Sequence, residues 1–324
     1  MPRQLTRRAA LAGLGAVLLT GCTDDRPDDP SAGPVIEISP SPTPPVTVDT
    51  PNGPVVVPGG PTRLVVLDTA ELDSAFTLGV PPLAASRPAA DPGPPDYFPA
   101  AWLAPVRSAG TVGSPDYAAI RAERPELLLG NQTRDAAHYE ELREIAPTVL
   151  TATTGYPWKD NFRVHARALG REQQADAVAA EYVRHAGRAA EAIGAAGNGG
   201  ARISLVRFVE GSPTVRLYGR QNFPGTLLTD LRLGRPAAQD VDAFDVEVTP
   251  DRIDLADGDF LFHATYGDPA KAGTDAVLAS PAWQSLGAVR AHRAFPVDDR
   301  LWYQGIGYTG ANLILAELQR FLTG

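Results

Sequence analysis

The side chains in this sequence best equipped for chemistry are aromatic rings and guanidinium groups, and they recur in segments that follow apolar runs. In the first half these are Tyr97, Phe98, Trp102, Asn131, Gln132, Arg134, Tyr156 and Trp158. In the second half they are Arg216, Tyr218, Arg220, Asn222, Phe223, Tyr266, Trp302, Tyr303 and Gln304. Such groups stack on organic surfaces and donate hydrogen bonds to oxygens that carry negative charge. They suit holding a guest rather than cleaving one. Plain structural roles compete with this reading: Trp158 either touches a guest or packs between lobes, Arg216 either donates to a guest or completes a salt bridge, and Trp283 reads as core.

Covalent and metal chemistry find no support in the spacing. The five histidines, His138, His165, His185, His263 and His292, form neither a His-Glu-x-x-His pattern nor a close pair, so converging ligands for a bare metal ion are not expected. His263 reads as a hydrogen-bonded structural residue. No Gly-x-Ser-x-Gly turn occurs, which removes the commonest exposed serine nucleophile. Gly305-Ile306-Gly307-Tyr308-Thr309-Gly310 matches a dinucleotide loop. It lacks a following strand and an acidic residue about 20 positions on. Its glycines read as a tight entry to the last helix. No catalytic residue and no cofactor is expected.

The single cysteine, Cys22, ends a short export-like segment. Arg3, Arg7 and Arg8 precede an apolar run from Ala9 to Leu19, the layout of a signal peptide over residues 1–21 and too short to span a bilayer. Leu19-Thr20-Gly21-Cys22 resembles a bacterial lipobox, which implies lipidation of Cys22 and a location on the outer face of the cell membrane. Thr6-Arg7-Arg8 also fits a twin-arginine signal, so the export route stays open. With one cysteine no internal disulfide can form, and the fold must rest on its core. Residues 22–61 are rich in Pro, Ser, Thr, Asp and Gly and read as a tether, with a short hairpin at Val46–Val57 turning at Pro51-Asn52-Gly53 as an early start to the fold.

Removing residues 1–21 from the 324 leaves 303, enough for two lobes. The formal charge of −9 becomes −12 once Arg3, Arg7 and Arg8 are removed, which argues against nucleic acid as a partner. The periodicity predicts strands at 63–67, 82–85, 126–130 and 148–151, with helices at 70–78, 117–123 and near 136–145. A long helix is expected over 172–196, with Ala175, Val178, Ala179, Tyr182, Ala186, Ala189 and Ile193 on one face. Beyond it come strands at 203–208, 215–218, 260–263 and 294–297, and helices at 226–231, 274–279 and 311–322. Strands alternating with helices at this spacing predict two Rossmann-like α/β lobes, at 62–165 and 200–324, joined by one rigid helix at 166–199. Guests of such sheets sit beyond the carboxyl ends of the strands, which places the cleft between the lobes.

Several phrases along residues 62–324 resemble the helix-linked substrate-binding proteins of bacterial iron–siderophore, haem and cobalamin importers. They include Arg63-Leu-Val-Val-Leu-Asp68, Arg124-Pro-Glu-Leu-Leu-Leu-Gly130, Ile145-Ala-Pro-Thr-Val149, Phe223-Pro-Gly225 and Val297-Asp-Asp-Arg-Leu-Trp302. The resemblance implies a monomeric, membrane-anchored binder that captures a ferric siderophore and delivers it to an ABC permease. The iron(III) complex is its cargo. Rings would pack on the chelate while Arg or Tyr donates to iron-bound oxygens. The acidic net charge favours neutral or cationic hydroxamates of the ferrioxamine type. Haem or a carboxylate siderophore held by Arg216, Arg220 and Arg134 comes next, then cobalamin. An exported lipoprotein hydrolase is the alternative from another class. The family's docking glutamate is replaced by Ala118, so Glu71, Asp116 and Asp251 are the carboxylates expected to meet the permease.

Overall fold

Buried aliphatic runs form the centre of each of two sheets in the computed structural model, which describes residues 43–90, 93 and 95–324. The expected signal segment and Cys22 lie outside the described residues. The first sheet contains β3 (Leu64–Val66), β4 (Ala84–Arg87), β5 (Arg107–Thr111), β6 (Ser114–Pro115), β7 (Leu127–Asn131) and β8 (Thr148–Thr151), in the order β6-β5-β4-β3-β7-β8. All pairs are parallel except β5 with β6. Leu64, Val65, Val66, Leu127, Leu128 and Leu129 are fully buried, as strands covered on both faces must be. Chain order runs outward from β3 to β4 on one side and to β7 on the other. The switch point is therefore the β3–β7 boundary, where Asp68 and Asn131 follow the strands.

Ahead of this sheet, β1 (Val46–Thr50) and β2 (Gly53–Val57) pair antiparallel around Asn52-Gly53, with Gly53 at φ +99° supplying the turn. Val48 and Val57 are buried. Folded structure therefore begins inside the segment 22–61 assigned to the tether, because alternating valines give the hairpin an apolar face to bury.

In the second sheet β9 (Ile203–Val209), β10 (Val215–Tyr218), β11 (Asp245–Val248), β12 (Phe260–Tyr266) and β13 (Ala294–Pro296) adopt the order β11-β10-β9-β12-β13. β9, β12 and β13 are parallel, and β10 and β11 add an antiparallel edge. The mixed sheet has its parallel strand ends on the same side as the β9–β10 turn.

The expected connector at 166–199 is shorter than its bounds. Helix Trp158–Leu169 stops at Gly170, which takes the left-handed conformation at φ +64°, and the long helix runs over Glu172–Ala195. Its 24 residues span about 36 Å. Ala175, Tyr182, Ala186, Ala189 and Ile193 are its buried stripe, and the final helix, Tyr308–Thr323, packs along it and returns to helix Thr69–Thr77 of the first lobe. Among the described residues, no helix is long and apolar enough to cross a membrane.

Candidate functional site

Two contiguous hollows of about 300 and 370 Å³ open where the two sheets face each other. Arg134, Thr154, Arg207, Arg216, Tyr303 and Ile306 line both. Arg134 follows β7, while Arg207 and Arg216 lie opposite one another on β9 and β10. Like charges in direct register destabilise a sheet, so each needs compensation. Arg207 has it in full: Nε and Nη2 donate to Asp299 at 2.6 and 2.7 Å, and Nη1 donates to the Tyr218 hydroxyl at 3.3 Å. Its guanidinium carbon lies 5.0 Å from the ring centroids of both Tyr266 and Tyr303, a geometry that favours a cation. Burial opposes the charge, and the Tyr218 and Asp299 oxygens outweigh it, holding Arg207 above the ordinary arginine range. Three of five N–H donors are used, so two remain for a guest.

Arg216 and Arg134 are held more loosely. Arg216 Nε lies 3.4 Å from both Asp245 and Glu247, close enough to pair charges but without hydrogen-bond geometry. Arg134 Nε is 3.8 Å from Asp68 and its side chain is 50% exposed. Asp68 caps helix Thr69–Thr77 and accepts from Asn131 Nδ2 at 3.1 Å. Behind it, Glu71, Asp135 and His165 are almost wholly buried. Burial, then repulsion from Asp68, pushes the Glu71 carboxyl well up. Burial raises Asp135 to about 6 and lowers His165 to about 3. His165 accepts or donates at Ser74 Oγ, 2.9 Å away, and stands 3.8 Å from Glu71. This serine–histidine–acid grouping is sealed in the core and touches neither hollow.

The glycine pattern near the C-terminus has an internal partner. A Cβ at Gly307 would collide with the Asp73 carboxylate, and one at Gly310 with the Gly305 carbonyl. Asp73 accepts from the Thr309 and Gly310 amides at 3.1 and 3.0 Å. The helix end, a position suited to cradling a phosphate, is filled by the chain's own carboxylate.

Of the residues expected to contact a guest, Arg134, Arg216, Tyr218, Asn222, Phe223, Tyr266, Tyr303 and Gln304 line the cleft. The others do not. Tyr97 and Phe98 pack into the first core beside Phe76, and Trp102 stacks on Phe76 at 5.8 Å. Gln132 donates to Asn52 of the hairpin turn. Trp158 is 2% exposed, donates to Thr226 at 2.8 Å and meets Phe223 and Tyr308 edge-on. Arg220 pairs with Asp240 and Asp242 at the surface. Trp302 is buried against Phe262 and donates to Glu317 at 2.6 Å. Arg207 is not among the expected contacts: it lies within β9, two residues before the strand ends. One charge within the apolar run Ile203–Val209 is the signal that marks it, since a buried arginine requires a partner.

The model of the family described as "Periplasmic binding protein" matches residues 64–301. The chain belongs to that family. A probable siderophore-binding lipoprotein of Bacillus subtilis, YfiY, is 29% identical to this periplasmic binding protein over 278 residues, covering 82% of this chain and 83% of that one. The Fe(3+)-citrate-binding protein YfmC of the same organism is 24% identical over 262 residues, 79% of each chain. In structure, Staphylococcus aureus SirA complexed with staphyloferrin B superposes with a TM-score of 0.76 at 24% identity, covering 86% of this chain and 98% of SirA. These are binding proteins, not enzymes. In this family member Glu71 is 1% exposed, so the expectation that it docks on a permease is corrected: burial against His165 and Asp68 removes it from any partner. Asp116 and Asp251 are exposed, each in or beside the first turn of a short helix.

Proposed function

We propose that the protein captures a ferric siderophore in the interlobe cleft and delivers it to an ABC permease while tethered to the extracytoplasmic face of the cell membrane through Cys22. The observation that carries this reading is the meeting of Arg134 from one lobe with Arg207 and Arg216 from the other across a hollow flanked by Tyr266 and Tyr303. Such a site suits a complex whose periphery presents anionic oxygens, held by charge-assisted hydrogen bonds. The ferrioxamine expectation rests on the whole-chain charge and on an aromatic cleft. A guest meets the local field instead, and the arginines favour a carboxylate-rich chelate of the ferric citrate type. The name of YfmC and the staphyloferrin B complex of SirA support the same class, and the name of YfiY supports the siderophore role. Asp116 and Asp251, one on each lobe, are the carboxylates we assign to permease docking, and the protein acts as a monomer.

Calorimetric titration of the protein with ferric citrate, ferrioxamine B, haemin and cobalamin tests this. Saturable one-to-one binding of ferric citrate is expected. Tight binding of ferrioxamine B alone would keep the siderophore role and overturn the anionic class, and binding of haemin or cobalamin alone would overturn both.

A further inference from the structure

The two hollows differ in what they offer a guest. The first is lined by Asp68, Thr69, Tyr266 and Gln304 together with the shared arginines. The second adds Gly155, Phe223, Pro224 and Phe244, and beyond the shared arginines and Thr154 the polar side chains at this end are already committed. Asn222 caps helix Phe223–Asp230 by accepting from Gly225 at 2.7 Å, and its amide donates to the Gly219 and Phe244 carbonyls. Thr133 donates to Thr153 at 3.0 Å. The hydrogen-bonding capacity of this hollow is concentrated at the shared arginines and Thr154.

Phe244 is the decisive residue. It is 48% exposed, yet its backbone is fixed: its carbonyl accepts from Gly219 N at 3.0 Å and Asn222 Nδ2 at 2.9 Å, and Ala243 accepts from Gln221 N. The ring packs edge-on to Tyr218, with centroids 5.3 Å apart, on the second lobe. Facing it from the first lobe is Gly155, where a Cβ would come to ordinary contact, 3.9 Å, with the ring. A large apolar ring held in water on a pinned loop, beside Phe223 and Pro224, gains most when a ligand covers it.

We propose that the cleft is bipartite, and that its ligand carries an apolar or aromatic arm beside the anionic iron centre, the arm lying on Phe244 while the centre sits over Arg207 and Arg216. This rests on the reading of the cleft as a ferric chelate site. The test titrates the full chain with two probes: ferric citrate, and the ferric complex of a citrate monoamide bearing a benzyl arm. The arm-bearing complex is expected to bind about tenfold more tightly, the order of one buried aromatic contact. Phe244→Ala, exposed enough to leave folding intact by circular dichroism, should erase that gain and leave ferric citrate within about twofold of its original affinity. Phe244→Leu should keep part of it. Equal affinity of the two probes for the unaltered protein, or equal weakening of both by Phe244→Ala, overturns the proposal. Binding of neither probe to the unaltered protein would remove the anionic-chelate reading, and this proposal with it.

Discussion

The two walls of the cleft solve the same electrostatic problem differently. On the second-lobe wall Arg207 is clamped by Asp299, capped by Tyr218 and flanked by two tyrosine rings. Its geometry is set before any guest arrives, so little rotamer entropy remains to be lost on binding. The first-lobe wall offers Arg134, half exposed and 3.8 Å from its nearest carboxylate. It must be ordered by the ligand, and water screens it. The contrast teaches where affinity should reside: in the fixed wall, with the loose wall adjusting to the guest's size.

Removing Arg207 is therefore the largest perturbation. Arg207→Ala should weaken ferric citrate binding about a hundredfold, the scale for deleting one member of a desolvated charge pair. It also leaves Asp299 buried without its partner, at a cost of about 3 kcal/mol or more in stability. The double change Arg207→Leu with Asp299→Leu should recover most of the melting temperature and none of the affinity. Arg134→Ala should cost about fivefold in affinity, and that loss should shrink in high salt. Equal effects of the two single changes would break the contrast between the walls.

That contrast was only partly legible in the sequence. Strands Thr148–Thr151 and Val215–Tyr218 were read at their observed bounds, and the long helix to within a residue at its end, because their apolar periodicity is strong. β5 and β11 were missed. Arg-Ser-Ala-Gly-Thr and Asp-Val-Glu-Val are polar or glycine-bearing segments near sheet edges, where one exposed side frees a strand from the buried pattern. Half of the candidate site was found by looking after strands, as with Arg134, Tyr218 and Tyr266. The aromatic loop residues Tyr97, Phe98 and Trp102 misled, since ring type says nothing about which side of a loop faces the cleft. Phe244, alone between Asp240, Asp242 and Asp245, was passed over for want of a periodic context.

The buried carboxyls behind the loose wall give a smaller, pH-dependent effect. Glu71 is raised in the folded state, so the unfolded chain ionises first as pH rises. Its contribution to stability is thus complete below the unfolded carboxyl range and is lost as pH climbs through the raised folded value. Glu71→Gln removes that loss. The variant should be more stable than the parent at pH 7, and the advantage should vanish toward pH 4. His165, lowered to about 3, acts in the opposite sense, losing stability as pH falls below its unfolded value of 6.5. Urea titrations of both proteins at several pH values measure the difference directly, and an advantage that grows on acidification would show that Glu71 is ionised and stabilising in the fold.

The smallest effect is expected on the outer side of the first lobe. Trp102 is the most exposed of the tryptophans, at 51%, and stacks on Phe76 and Phe98 away from both hollows. Trp102→Ala should leave affinity for ferric citrate within about twofold and cost roughly 1 kcal/mol of stability from the lost ring contact. Because Trp158, Trp283 and Trp302 are all buried, the same variant also removes the most solvent-accessible source of intrinsic fluorescence. If quenching by the iron complex survives in Trp102→Ala with unchanged midpoint, the signal comes from energy transfer out of the core. A midpoint shifted several-fold would instead place Trp102 against the ligand and extend the binding surface beyond the two hollows.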